Sequence, residues 1–254
     1  MRAELVVAQT HRFTRIDPLL PPARPVAEGL ELVATLPDGD RVAGKLSAPT
    51  TAPENWMLHP VIGDKGTRGM DAILRAARAA LDGTETQPAA SCTVTWPSRD
   101  AEATRALLDH GFAPSSALAI RTASGEPASP GDIRIRTSRP CLDTFVLDAE
   151  LAGAPAGTVT VSEVDVADAG PLGALLLTGR WGLLRGPLVP ETVRRRGSGS
   201  ALMAAAHAEL GRAGIGRSHL VHDPHDPVTT VFLHRHGYRP LWTTWTARPL
   251  SVMR

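Results

Sequence analysis

The chain has 254 residues, 43% of them hydrophobic and 21% charged, and Lys+Arg 27 against Asp+Glu 26 gives a formal net charge of +1. That balance describes a globular protein of one large domain or two small ones and argues against a nucleic-acid binder held by phosphate contacts. Two cysteines, Cys92 and Cys141, are too few for a disulfide scaffold and fit a reducing, cytoplasmic setting, and neither a signal-peptide core nor a run of ~20 apolar residues for a membrane span is found.

Taken in chain order, the first expected elements are strands over 29–36 and 42–46, flanking the turn Pro37-Asp38-Gly39-Asp40. Before them the Pro-rich IDPLLPPARPVAEG offers no helix, since Pro breaks one. A glycine-bearing loop, 63–69, leads into an Ala/Leu/Arg helix over 70–81. A strand over 92–96 and a short helix over 102–110, stopped by Gly111, come next, and a strand over 118–121 closes this part. The segment TASGEPASPG, 122–131, has no periodicity and is rich in breakers, so it reads as a linker. Beyond it, strands are expected over 145–151, 158–164 and 183–189, then a helix over 199–210, a strand over 219–222, a helix over 228–236 and a strand over 241–248. Mixed strands with two helices on each side of the linker make the class α+β.

The two sides of the linker resemble each other. DAEATRALLDHGFAP from Asp100 and DPVTTVFLHRHGYRP from Asp226 match at one constant offset, with Leu107/Leu233, His110/His236, Gly111/Gly237, Phe112/Tyr238 and Pro114/Pro240 in register. Ala43-Gly44-Lys45-Leu46 likewise resembles Ala156-Gly157-Thr158-Val159, at an offset about a dozen residues smaller, which places extra residues of the second copy in 165–179. The expected organisation is a first domain over 1–122, a linker over 123–131 and a second domain over 132–254.

The chemistry concentrates in Arg194-Arg195-Arg196-Gly197-Ser198-Gly199-Ser200, between an expected strand and an expected helix. Such a loop points backbone N–H groups outward at a helix N-terminus, where the dipole favours anions; Gly197 and Gly199 admit a phosphate without a Cβ in the way, and the arginines add charge. Neither a Walker ending nor GxGxxG is present.

This segment resembles the acyl-coenzyme A signature of the GNAT N-acetyltransferase superfamily, Arg/Gln-x-x-Gly-x-Gly/Ala, which Arg194 to Gly199 fits in full. Asp226 through Tyr238 resembles the second signature, with Phe232 and Gly237 in place, while Leu233 stands where many members have the Tyr that protonates the departing thiolate. In the first copy, Gly63-Asp64-Lys65-Gly66-Thr67-Arg68 puts Arg68 where the signature needs a small residue. The whole resembles a tandem GNAT protein with a degenerate first copy: two GNAT-like domains of mixed, mostly antiparallel sheet with flanking helices, in a pseudo-symmetric tandem.

The resemblance implies an N-acyltransferase that moves an acyl group, acetyl first among them, from a coenzyme A thioester to a small-molecule amine by direct attack. Backbone N–H groups near Leu188 and Val189 would stabilise the oxyanion, and Asp226 and Leu233 would lie along the donor with the loop 194–200. The strand that would carry a base carboxylate contains Arg185 and no acid, so the candidate base is His222, oriented by Asp223, and the candidate acid is His234. Two alternatives stay open: a carrier protein bearing an acyl-phosphopantetheine as donor, as in bacterial secondary metabolism, and a non-catalytic module that binds acyl-coenzyme A. Six of nine His fall in 207–236, yet His219, His222 and His225 are spread over a strand and a Pro-containing loop, so no metal is expected; His207, mid-helix, is expected to be exposed. Each copy is short of helical sequence for an acceptor wall, so the two are expected to pack face to face in one body, sharing a continuous sheet.

Overall fold

A computed structural model describes residues 2–48, 55–82, 89–122, 132–168 and 170–253; the whole of the expected linker, 123–131, lies outside them. The first copy runs α1 (Arg2–Ile16), β1 (Leu30–Thr35), β2 (Arg41–Ser47), β3 (Asn55–Val61), α2 (Gly66–Asp82), β4 (Ser91–Pro97), α3 (Ala101–Asp109) and β5 (Ala113–Arg121). The second runs β6 (Ile133–Cys141), β7 (Thr144–Leu151), β8 (Ala154–Asp165), β9 (Arg180–Leu188), α4 (Ser198–Arg212), β10 (Ser218–His222), α5 (Pro227–Arg235) and β11 (Arg239–Ala247). The extra residues of the second copy form short 3₁₀ turns within 166–175, between β8 and β9.

The eleven strands of the described residues join one sheet, ordered β1-β2-β3-β4-β11-β5-β10-β9-β8-β7-β6. Only β3–β4 and β9–β10 are parallel; the other pairs are antiparallel. The copies therefore sit edge to edge rather than face to face, and they exchange their last strands. β11 pairs with β4 of the first copy, while β5 pairs with β10 of the second, His222 standing opposite Ala117 and Ser218 opposite Arg121. Interchanging β4 with β10, β11 with β5 and β3 with β9 maps the order onto itself, so a pseudo-twofold axis passes between β5 and β11. β6 is the one strand without a counterpart.

Helices cover the sheet unequally. α2 packs where Gly44 of β2 meets Ile73, and α4 packs where Gly182 of β9 meets Leu210. α1 lies on the opposite face from α2, with Leu5 against Ala43 and Val61. Sequence reasoning missed α1, because its inward stripe of Leu5, Gln9, Arg12 and Phe13 is half polar and no apolar period stands out. Among the described residues the second copy has no such helix: β6 turns directly into β7. Trp96, Phe13 and Trp242 stack edge to face at the join, with ring centroids 5.5 Å apart, which ties α1 to strands of both copies.

Candidate functional site

β9 and β10 run side by side only at Gly182–Ser218 and Leu183–His219. Beyond that point β9 carries an extra residue between Arg185 and Leu188 against β8, and the bulge turns its end away from β10. Two parallel strands thus splay into a V. Arg194, Arg195 and Arg196 stand exposed at its mouth, Arg194 Nε donating to Val189 O at 3.3 Å. Gly197 caps α4 at φ +91°, a conformation that suits glycine, and supplies no side-chain acceptor to the helix. The first helical bond is Ala201 N to Gly197 O, so the amides of Ser198, Gly199 and Ser200 have no partner inside the helix. Together with the arginines they form a site fit for phosphate.

Gly199 is small for an added reason. A Cβ there would meet the Phe232 ring at 3.2 Å, so the glycine lets α5 close over the start of α4. Asp226 caps α5, accepting from Val228 N at 3.0 Å and Thr229 N at 3.1 Å; the Thr229 hydroxyl bond holds its carboxyl below the usual range, with Arg194 adding to the effect. Leu233 is buried in the core beneath α4. Leu188 is exposed and Val189 half-buried at the end of β9.

The expected catalytic trio is not gathered into one cluster. His222 ends β10, and its Nδ1–H donates to Asp223 O at 3.2 Å, with Nε2 on the far side of the ring. The Asp223 carboxylate accepts from the His225 amide at 2.8 Å and so closes a turn instead of orienting the imidazole. His225 Nε2–H donates to Pro114 O of the first copy at 2.7 Å. His234 is exposed on α5. His207 corrects the expectation of exposure: it is buried, hydrogen-bonded through Nε2 to the Tyr238 hydroxyl at 3.0 Å, which also meets Ser218 Oγ at 2.7 Å. Burial, helped by Arg121 and His236, pushes His207 down to about 3, and burial pushes Tyr238 up to about 12. No three His, Cys, Asp or Glu side chains converge as metal ligands among the described residues.

The matching V of the first copy is filled from within. Pro60 is the penultimate residue of β3, as Pro187 is of β9. The Gln9 carboxamide of α1 donates to Pro60 O at 3.2 Å and accepts from Ile62 N at 2.8 Å. Among the described residues no side chain bonds the equivalent Pro187 O or Val189 N. Arg12 follows one helical turn later, donating to Asp100 (2.8 and 2.6 Å), Glu102 (2.8 Å) and Asp64 O. Glu102 in turn lies against the start of α2, where a Cβ on Gly66 would run into its carboxylate oxygen. An anion thus occupies the place at α2 that the arginine-flanked loop leaves open at α4. Arg68, which stands where the signature needs a small residue, pairs with Asp38 at 3.0 Å. Sequence reasoning missed Gln9 and Arg12; the one signal was a Gln and an Arg three apart on the inward face of an unassigned helix.

No known family profile matches the chain, and no curated protein matches it. Solved structures do. A GCN5-related N-acetyltransferase from Sphaerobacter thermophilus superposes with a TM-score of 0.53 at 14% identity, over 100% of this chain and 94% of that one. An acetyltransferase of the GNAT family from Colwellia psychrerythraea gives 0.50 at 9% identity, over 85% and 84%. A tandem GNAT protein from the clavulanic acid biosynthesis pathway gives 0.46 at 16% identity, over 83% and 80%. The chain has the GNAT fold, α+β with a mixed sheet flanked by helices, built as two copies.

Proposed function

We propose that the chain is an N-acyltransferase that takes an acyl group from coenzyme A bound in the second V. One observation carries the reading: of two symmetry-related Vs, the first is closed by Gln9, Arg12 and Glu102, while the second presents uncapped helix amides and three exposed arginines. In this reading Arg194–Arg196 and the amides of Ser198, Gly199 and Ser200 hold the phosphates. The backbone at Leu188 and Val189 receives the thioester arm and its oxyanion. The amine nitrogen attacks the carbonyl carbon; its C–N bond forms, the C–S bond breaks, and the proton lost by nitrogen passes to His222 Nε2. Leu233 has no proton to give the thiolate, so it leaves with one from solvent or from His234, the imidazole next along α5. Asp223 takes no part beyond holding the turn.

The test is a calorimetric titration with acetyl-coenzyme A. The expected result is one donor per chain, with Arg194, Arg195 and Arg196 changed to Ala weakening binding and flattening its salt dependence. Two donors per chain, or affinity untouched by the triple change, would reject the assignment.

A second reading replaces free coenzyme A by the phosphopantetheine arm of an acyl carrier protein. It is favoured by Val228 and Val231, 69% and 51% exposed on α5, the helix capped by Asp226, whose carboxyl feels Arg194: apolar and basic side chains at one helix start suit an acidic helical partner. Turnover with a loaded carrier and none with acetyl-coenzyme A would select it.

A further inference from the structure

The sheet face opposite α4 carries a feature that donor binding does not use. Gly182 and Leu184 of β9 and Val159 and Val161 of β8 point toward α4. Alternation therefore turns Arg185, with Thr160 in register beside it on β8, to the other face. In the first copy that face is covered by α1; in the second, no described helix covers it. Arg185 is exposed there, in the middle of an interior strand, and makes no ion pair or hydrogen bond among the described residues. On the same face stand two exposed apolar side chains, Leu188, 69% exposed, on β9, and Val221, 52% exposed, on β10, with the threonines Thr158 and Thr160 of β8 beside them. Asp223 closes a turn, Asp226 caps α5, Glu150 pairs with Arg136 at 3.0 Å, and Asp148, exposed on the same face two strands away on β7, makes no ion pair with Arg185 among the described residues.

An interior strand of a sheet normally presents a side chain that packs, because both neighbours crowd it. This guanidinium has no partner in the fold among the described residues, and its planar donor fork matches a carboxylate. Its backbone is three residues from Leu188, about 10 Å along the strand. An extended Arg side chain covers much of that gap.

We infer that Arg185 is the acceptor-specificity residue of the second V, and that the acceptor is a small amine carrying a carboxylate, such as an amino acid, its carboxylate on Arg185 and its nitrogen at the mouth between Leu188 and His222. This rests on the proposed donor site in the second V.

The experiment compares matched acceptors with acetyl-coenzyme A as donor: leucine against leucinamide, with putrescine as a cationic amine. The full-length protein is expected to prefer leucine by at least tenfold in kcat/KM. Arg185→Gln should remove most of that preference, roughly ten- to hundredfold, as loss of a charge-assisted pair does, with the KM for acetyl-coenzyme A unchanged. Arg185→Lys should recover part of it. Preference for leucinamide or putrescine in the parent, or an unchanged ratio in Arg185→Gln, overturns the inference. If acetyl-coenzyme A binds and no amine is acylated, the proposed activity fails, and saturation-transfer NMR with N-acetylleucine and its amide still decides about Arg185. Signal for the acid alone, lost in Arg185→Gln, supports a carboxylate site; equal signals from acid and amide refute it.

Discussion

Arg12 is the residue whose loss should report most directly on how the first V is closed. Its guanidinium and the Asp100 carboxylate are both buried, at 8% and 1% side-chain exposure. Arg12→Met keeps the stem and removes the charge, which strands a buried carboxylate, a change that ordinarily costs about 3–5 kcal/mol. Asp100 has four donors, the Arg12 Nε and Nη2 groups, Trp96 Nε1 and Ala103 N, and would keep the last two. The cost should therefore fall at the low end, about 3 kcal/mol, or about 6–12 °C in Tm for a chain this long. The pH dependence has a definite sign. Burial opposes ionisation of Asp100, and the Arg12 hydrogen bonds more than compensate, so in the folded protein its carboxyl sits below the usual range. That stabilisation is present above the ordinary carboxylate pKa of about 4 and is lost as pH falls through the lower folded value. In Arg12→Met the balance reverses and burial raises the pKa. The stability gap between parent and variant should then be widest at pH 7 and narrow toward pH 4.5. Urea denaturation of both proteins at the two pH values measures it, with Asp100→Asn in the Arg12→Met background expected to recover part of the loss. A deficit under about 1 kcal/mol at pH 7, or one that ignores pH, would show that this pair does not hold α1 in the V.

Gly199→Ala should cost about 1–3 kcal/mol by pressing on the Phe232 ring, and Phe232→Leu should relieve it in the double variant, as thermal melts with a non-additive cycle would show. His219 is buried against Trp181 with Nδ1 unpartnered, and burial pushes it down to about 4. A folded value below the ordinary 6.5 means that stability falls as pH drops from about 6.5 toward 4, so His219→Phe should leave pH 7 stability within about 1 kcal/mol and reduce that slope by up to one proton, about 1.4 kcal/mol per pH unit. Residues 132–254 expressed alone should be insoluble or inactive, because β10 and β11 would lose β5 and β4; a soluble fragment with full activity would contradict the exchange of strands.

What could be read from the sequence follows the type of signal. Strands with alternating side chains, such as TVTVSEV within β8, and helices with an apolar stripe, such as α2, announce themselves because local period and burial agree. The repeat is visible because Asp100 and Asp226 each cap a helix and Gly111 and Gly237 each end one at positive φ, constraints that act within a dozen residues. Strand exchange is invisible locally, since β5 and β11 satisfy the same pattern whichever copy they complete. α1 was hidden because its function is to place Gln9 and Arg12 inward, against the usual pattern. The loop at Arg194–Ser200 is legible as a glycine-bearing turn that opens a helix, whereas Glu102, which lies against the start of α2 in the first copy, comes from a different helix and leaves no local mark. His207 looked exposed because a His in an Ala-rich helix carries no mark of the Tyr238 hydroxyl that receives it.

The closed copy is more than a relic, because the two Vs are built from each other's strands. β5 forms one flank of β10, so the strand that ends in His222 takes its position from Ala117 and, through His225, from Pro114. β11 flanks β4, and Arg239 at its start reaches Asp17, just past the end of α1. Opening the first V by moving α1 would disturb Asp17 and Phe13, hence β11, hence the β5 edge on which β10 lies. Gln9 fills the first V with an amide donor and acceptor that belong to the chain itself. Under the proposed function the second V, which no side chain fills among the described residues, is the one a donor enters, and it lies on a sheet that the filled copy holds in place through two shared strands.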